Sequence, residues 1–228
     1  MPAETAAPRA LAFFDVDETL ITIKSMFDFY DFFLAAIGHS EEEQARLREQ
    51  ARSLLKPGMP RKEGNRLFYR RFAGYGTAEV AKHGQAWFDK RLAEGGLFNG
   101  DVLAALRRHR SAGLNTVLVS GSFTACLDPV AEHAGADAVL CTRLEEQGGV
   151  YTGEVLRSMI GDGKARSARE LITELGVSAA DCHAYGDHTS DLELLTLVGH
   201  PVVVGDNAEM RTEAAANGWP VLEGLPAA

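Results

Sequence analysis

Two aspartates, Asp15 and Asp17, stand one residue apart where a short apolar run ends. The run Leu-Ala-Phe-Phe at residues 11–14 has the length and composition of a buried strand. In extended backbone the side chains of residues i and i+2 point to the same side. Both carboxylates are therefore expected on one face at the carboxyl end of that strand, where open α/β sheets bind their ligands. Two like charges that close together demand a cation between them or a proton on one of them. Hard carboxylate oxygens suit a divalent ion, Mg²⁺ above all. Read alone, the same residues also fit an Asp-rich turn after a strand.

Three further junctions carry chemistry. At residues 119–122, Val-Ser-Gly-Ser, Ser120 ends an apolar run and Gly121 lets the backbone approach a ligand closely. A hydroxyl and free N–H groups at a helix start suit a phosphate; in isolation Ser120 reads more simply as a helix N-cap. At residues 161–164, Gly-Asp-Gly-Lys, Lys164 falls in the first turn of a helix, where a cation opposes the helix dipole. A bound phosphate and nearby acids would justify it there; the plain alternative is a solvated lysine. At residues 185–191, Tyr-Gly-Asp-His-Thr-Ser-Asp, a second short strand ends in a glycine and acids. Asp187 is placed to complete a metal site with Asp15, and Asp191 to start and cap the next helix.

These junctions need a scaffold, and the rest of the chain supplies one. From residue 99 onward, apolar runs of strand length (114–119, 138–141, 182–185, 201–204) alternate with helical patterns (101–111, 123–133, 164–175, 191–197, 208–217). Such alternation predicts a doubly wound, mostly parallel α/β sheet with right-handed crossovers. The Gly148-Gly149 turn followed by residues 150–155 predicts part of a small hairpin. Residues 20–95 break the rhythm: they read as helical throughout, with stops at Lys56-Pro57-Gly58 and around Gly74 to Gly76. A helical block inserted directly after the first strand predicts a cap above the carboxyl edge of the sheet. The expected division is a loose tail at 1–9, a catalytic core of 10–22 and 96–228, and a helical cap at 23–95. The aromatic cluster Phe27, Phe29, Tyr30, Phe32 and Phe33 is expected to form mainly cap core, with one ring facing a ligand.

Composition narrows the partners. The chain has 228 residues, 46% apolar and 24% charged, with a net charge of −9, the profile of an ordinary globular protein with a sizeable core. An acidic surface argues against nucleic acid or an anionic membrane as partner, because both are held through basic patches. No run reaches the length of a membrane span, and the first residues carry no apolar signal core. Three scattered cysteines, Cys126, Cys141 and Cys182, form no Cys-x-x-Cys pair and fit a reducing, cytoplasmic setting.

Taken in order and spacing, the four junctions resemble the haloacid dehalogenase superfamily, in its phosphoserine-phosphatase-like branch with a Rossmann-like core and a helical cap. Asp15-Val16-Asp17-Glu18-Thr19 matches the first motif, Ser120 the second, Lys164 the third, and Gly186-Asp187 with Asp191 the fourth. The resemblance implies a Mg²⁺-dependent phosphatase acting on a small phosphorylated metabolite. Asp15 would be the nucleophile and Asp17 the acid–base group. Asp15, the backbone carbonyl of Asp17, and Asp187 would hold the metal. Ser120, Gly121 and Lys164 would hold the phosphoryl oxygens, and Asp191 would anchor Lys164 or a metal-bound water. Two departures bear on substrate. The glutamate that meets the amino group in phosphoserine phosphatases corresponds to Lys24, which reverses the charge, and Ser190 replaces the usual asparagine of the fourth motif. Phe27, His188 and either Arg70 or Arg71, as counterpart of a cap arginine, are further candidates for contact with substrate. Competing readings are a phosphotransferase using the same phospho-aspartate, a phosphoserine phosphatase proper, and a non-catalytic phospholigand-binding module.

Overall fold

Residues 11–15 show no polar alternation because both of their faces are covered. In the computed structural model, which describes residues 9–55 and 58–223, strand β1 (Leu11–Asp15) is buried over its whole length. The expected tail, Arg9 apart, and the Lys56-Pro57 helix stop lie outside the described residues. With β1 run β2 (Asn115–Ser120), β3 (Ala138–Cys141), β6 (His183–Gly186), β7 (His200–Val204) and β8 (Val221–Leu222). All pair in parallel, in the order β3-β2-β1-β6-β7-β8. Strand order reverses between β1 and β6, which makes their carboxyl ends the switch point where such sheets bind ligands. The register pairs Asp15 with Val119 and Phe14 with Tyr185, so the ends of β1, β2 and β6 share one edge. Strand β8, only two residues long, has no period from which sequence could have found it.

Alternate residues of β1 serve opposite layers. Leu11 and Phe13 pack with Ala168 and Ile172 of α7 (Asp162–Leu175), Leu194 and Leu195 of α8 (Leu192–Leu197), and Met210 of α9 (Ala208–Asn217). Ala12 and Phe14 face α5 (Gly100–Ser111) and α6 (Thr124–Ala134). The antiparallel hairpin β4 (Arg143–Gln147) and β5 (Val150–Arg157) turns at Gly148 and Gly149, with φ of 59° and 78°. Positive φ at both positions is what a tight hairpin turn requires.

The four helices α1 (Ser25–Ala36), α2 (Glu41–Arg52), α3 (Arg61–Tyr69) and α4 (Thr77–Glu94) follow β1. A capping box between Ser40 and Glu43 starts α2. The apolar cluster that holds this block does not stop at its border. Phe29 and Phe72 pack against Phe123 with tilted rings, their centroids 5.9 and 5.0 Å away, and Phe123 belongs to the loop after β2. A Cβ at Gly84 of α4 would lie 1.9 Å from the Ala125 carbonyl oxygen of α6, so these two helices meet backbone to backbone. Asp28 accepts hydrogen bonds from Trp87 Nε1 and Arg91 Nε, both at 2.7 Å, and ties α1 to α4.

Candidate active site

A cleft of about 310 Å³ opens between the carboxyl edge of the sheet and helices α1 and α3. Asp15, the last residue of β1, lies at its floor and is 5% exposed. Lys164 reaches it from the first turn of α7 because Gly163 lets that turn sit against Ser158: a Cβ at residue 163 would come within 2.3 Å of the Ser158 carbonyl oxygen. The Lys164 ammonium donates to Asp15 Oδ1 and, at 2.5 Å, to Asp191 Oδ1. Thr19 Oγ1 lies 3.2 Å from Asp15 Oδ2 and donates to Asp187 Oδ1 at 2.8 Å. Asp15, Asp187 and Asp191 thus bring carboxylate oxygens within 4.8 Å of one another.

One ammonium does not balance three carboxylates, of which Asp15 and Asp191 are buried and Asp187 half-buried. Burial is the main force that pushes Asp15 well above the ordinary carboxylate range; Lys164 opposes it, and Asp191 and Asp187 add to it. Asp187 is raised too, by burial and then by Asp191. Burial lowers the Lys164 ammonium, but Asp15 and Asp191 outweigh it and hold the lysine charged, with its pKa raised. A hard divalent cation fits this surplus of oxygen donors and negative charge.

Asp17 is placed differently. The chain leaves the strand after Asp15 and turns, with Leu20 and Ile21 N–H groups both donating to Val16 O at 2.9 Å. Glu18 in that turn has φ 64°. The turn directs the Asp17 carboxylate to the start of α1, where Oδ1 accepts the Ser25 N–H at 2.9 Å. Lys24 holds the N-cap position of α1 and offers no cap of its own; Asp17 takes that part from outside the helix. Burial raises the Asp17 pKa, and the hydrogen bonds from Ser25 pull against it. Hence the two aspartates line one cleft, but only Asp15 belongs to the converging carboxylates.

A family model for haloacid dehalogenase-like hydrolases matches residues 12–196, from β1 through α8. The chain belongs to this family. Among curated relatives, a probable phosphatase of Mycobacterium tuberculosis is 40% identical over 122 residues, covering 54% of this chain and 42% of that protein. The match therefore spans less than half of that relative's length. A phosphoserine phosphatase of the same organism is 26% identical over 226 residues, 94% of this chain and 70% of its own length. Among solved structures, a protein of unknown function from Bordetella pertussis superposes with a TM-score of 0.84 at 23% identity, covering 95% of this chain and 99% of that one.

In this haloacid dehalogenase-like hydrolase the four junctions expected from sequence meet in one place. Asp15, Asp17, Ser120, Gly121, Lys164, Asp187, Ser190 and Asp191 all line the cleft. Ser120 is not a helix cap, since Phe123 precedes α6; its Oγ instead accepts the Ser122 N–H at 3.0 Å. Asp191 combines two parts, receiving Lys164 on Oδ1 and the His188 N–H on Oδ2 at 3.2 Å. Lys24, Phe27 and His188 also line the cleft. Phe27 is the one ring of the aromatic cluster that does so, while Phe29 and Phe33 are fully buried.

Arg70 and Arg71 do not line the cleft. Arg70 pairs with Glu154 of the hairpin at 3.7 Å, and Arg71 lies over the Tyr30 ring, 5.8 Å from its centroid. The single-turn 3-10 helix Arg70–Phe72 that closes α3 carries both of them away from the cleft. Arg61 lines it instead, at the opposite end of the same helix. Its Nη1 lies 2.6 and 2.8 Å from the two ring nitrogens of His188, a position over the ring rather than in line with one lone pair. Pro60 immediately before Arg61 was the available signal, since it marks a helix start whose first side chains face outward from the helix end. Asn65 and Thr19 also belong to the site, Thr19 through Asp187 and Asn65 through Gly121; Asn65 stands in no motif, and the chain around Thr19 gives no sign of its contact with Asp187.

Proposed function

We propose that the protein is a Mg²⁺-dependent phosphatase that hydrolyses a small-molecule phosphate monoester through an aspartyl-phosphate on Asp15. The observation that carries this reading is Asp15 itself: a buried carboxylate at the switch point of the sheet, gripped by Lys164 and surrounded by Asp187, Asp191 and Ser120. A binding module has no use for a buried nucleophile beside an uncompensated acidic cluster, and related proteins named as phosphatases support the same class.

Asp15 attacks phosphorus, and the bond from phosphorus to the ester oxygen breaks. Asp17 hands the departing oxygen its proton, a role favoured by the burial that raises its pKa. Water then attacks phosphorus, giving its proton to Asp17, and inorganic phosphate leaves with Asp15 restored. Lys164 and the Ser120 hydroxyl hold non-bridging phosphoryl oxygens, whose charge grows in the transition state. Asp15, Asp187 and the Asp17 backbone carbonyl would hold Mg²⁺, with Asp191 on the outer side. Bound there, the ion offsets the carboxylates and lets an anionic substrate approach.

Residues 23–95 act as a cap in this reading, covering the leaving group. Its surroundings are Met26, Phe27, Leu54 and Met59, with Glu18, Lys24 and Arg61 as the exposed lining residues. Glu18 is already paired with Lys24 at 3.1 Å, so an ammonium-bearing alcohol such as serine finds no free carboxylate at the rim. The substrate is a small phosphorylated metabolite, and this pairing disfavours phosphoserine among the candidates. A cytoplasmic setting suits three free, buried cysteines; no described helix is long and apolar enough to cross a membrane. The test is hydrolysis of p-nitrophenyl phosphate. It should stop with EDTA and return with Mg²⁺, and acid quench should trap phosphate on Asp15; activity that survives chelation, or a label on another residue, refutes the reading.

A further inference from the structure

We infer that Asn65 and Tyr69 are positioning residues that aim the Ser120 hydroxyl into the cleft, acting through the peptide between Gly121 and Ser122. The inference rests on the phosphatase reading for its kinetic consequence, and on geometry for the linkage itself. The Gly121 carbonyl oxygen receives three hydrogen bonds: from Asn65 Nδ2 at 2.9 Å, Tyr69 Oη at 3.0 Å and Thr142 Oγ1 at 2.8 Å. A carbonyl has two lone pairs, so three donors over-determine its direction. Asn65 and Tyr69 stand four apart on one face of α3, 56 and 52 residues from Gly121 in sequence. Neither is needed there for packing alone: a leucine and a phenylalanine would fill the same buried space without a polar atom to satisfy.

The far side of that peptide is the Ser122 N–H. It shares a rigid plane with the Gly121 carbonyl, so holding the oxygen holds the N–H. That N–H donates to Ser120 Oγ at 3.0 Å. A hydroxyl has one proton to give; with Oγ accepting from behind, the proton points away from Ser122 and toward the space that a phosphoryl oxygen would fill. A Cβ at Gly121 would lie 2.3 Å from Ile160 Cδ1, the movable end of that side chain. A second tie runs in parallel, from Ser25 Oγ to Ser122 Oγ at 2.8 Å, and the same Ser25 holds Asp17. Helix α3 begins at Arg61 against His188 and ends at Tyr69 behind Ser120. The seating of the helical block thus sets the Ser120 hydroxyl through the Gly121–Ser122 peptide.

A double-mutant cycle with Tyr69→Phe and Ser120→Ala tests this on p-nitrophenyl phosphate. Tyr69→Phe removes one oxygen and keeps the ring. It should lower kcat/KM about tenfold in the wild-type background, the size of one lost hydrogen bond at a transition state. In the Ser120→Ala background the loss should fall below about twofold, because the hydroxyl it aims is gone. Equal losses in both backgrounds would show a merely structural tyrosine and overturn the inference. Amide exchange at Ser122, read by NMR, needs no turnover at all. It should quicken about tenfold or more in Tyr69→Phe and in Asn65→Ala while Val203 in β7 stays unchanged. Unaltered Ser122 protection refutes the linkage whether or not phosphate esters are substrates, whereas a wild-type protein inactive on every phosphate ester refutes only the phosphatase reading.

Discussion

Replacing Asp15 should make the metal-free protein more stable, against the usual direction for a buried substitution. Asp15→Asn keeps the shape and removes one of three carboxylates gathered within 4.8 Å. At that separation and an effective dielectric of about 20, each like-charge pair costs about 3–4 kcal/mol, so two repulsions of that size disappear. Against this, Lys164 exchanges an anionic acceptor for a neutral one, a loss of about 5–6 kcal/mol by the same arithmetic; Asp191 continues to hold the ammonium. The Coulomb terms nearly cancel, and relief of burial, the largest force raising the Asp15 pKa, decides the sign. The expected gain is about 1–3 kcal/mol, or roughly 2–12 °C in Tm for a chain of this size. The pH dependence fixes the cause. A carboxyl whose folded pKa is raised contributes stability below its unfolded pKa that is lost as pH rises through the folded value. Variant and wild type should therefore melt together below about pH 4 and separate as pH rises toward neutrality. Thermal melts of EDTA-treated protein across pH 3.5–8 give the comparison, with turnover falling at least about 10³-fold in the same variant. A variant less stable than wild type at pH 7, or a gap that does not depend on pH, would refute the reasoning that the site is over-charged without metal.

Lys24→Glu puts a second carboxylate beside Glu18, and in a substrate panel it should raise the kcat/KM ratio of amino-bearing over neutral phosphates about 5–10-fold; an unchanged ratio would place residue 24 away from the leaving group. Gly84→Ala drives a methyl to 1.9 Å from the Ala125 oxygen and should cost about 2–3 kcal/mol, a Tm drop of roughly 4–12 °C; a melt within 1 °C of wild type, on the order of a neutral surface change, would deny the backbone contact. At the amino ends of β6 and β7, His183 lies between a tilted His109 and a stacked His200, with centroids 4.2 and 4.5 Å away. Burial, then His109 and His200, depress its pKa to about 4. A depressed histidine contributes stability that is full above the unfolded value of about 6.5 and is lost as pH falls toward the folded one. Discounted for partial exposure, the loss should be about 1–2 kcal/mol between pH 6.5 and 4, and His183→Gln should flatten that limb in chemical-denaturation curves.

What the sequence showed most clearly were features that depend on neighbours in the chain. An uninterrupted apolar run at residues 11–14 can only be a strand covered on both faces, and paired glycines at 148 and 149 can hardly be anything but a hairpin turn. Ser120, Lys164 and Asp187 were legible because each stands at the end of a strand or the start of a helix, where an open sheet points toward one edge. The facing wall was not legible in that way. Whether Arg61 or Arg71 reaches the cleft depends on the angle at which α3 crosses the sheet, and no periodicity encodes a crossing angle. Asp17 illustrates the same limit: the i, i+2 argument holds inside a strand, but β1 stops at Asp15, and the turn that follows gives Asp17 to Ser25.

The contact of Gly84 with Ala125, and the packing of Phe29 and Phe72 against Phe123, bear on how this molecule can be re-engineered. A helical insert joined to its host only by two linkers could be exchanged like a cassette. Here residues 23–95 carry half of a shared interior whose other half is α6, and the two halves meet at backbone distance. A chimera that takes this block into another host of the same architecture would need α6 and the loop from Ser120 to Phe123 to travel with it. Without them, Phe29, Phe72 and Trp87 would face an unmatched surface, and Asn65 and Tyr69 would lose the Gly121 carbonyl that they hold. The unit of exchange is set by the buried interface rather than by the two points where the chain enters and leaves the block.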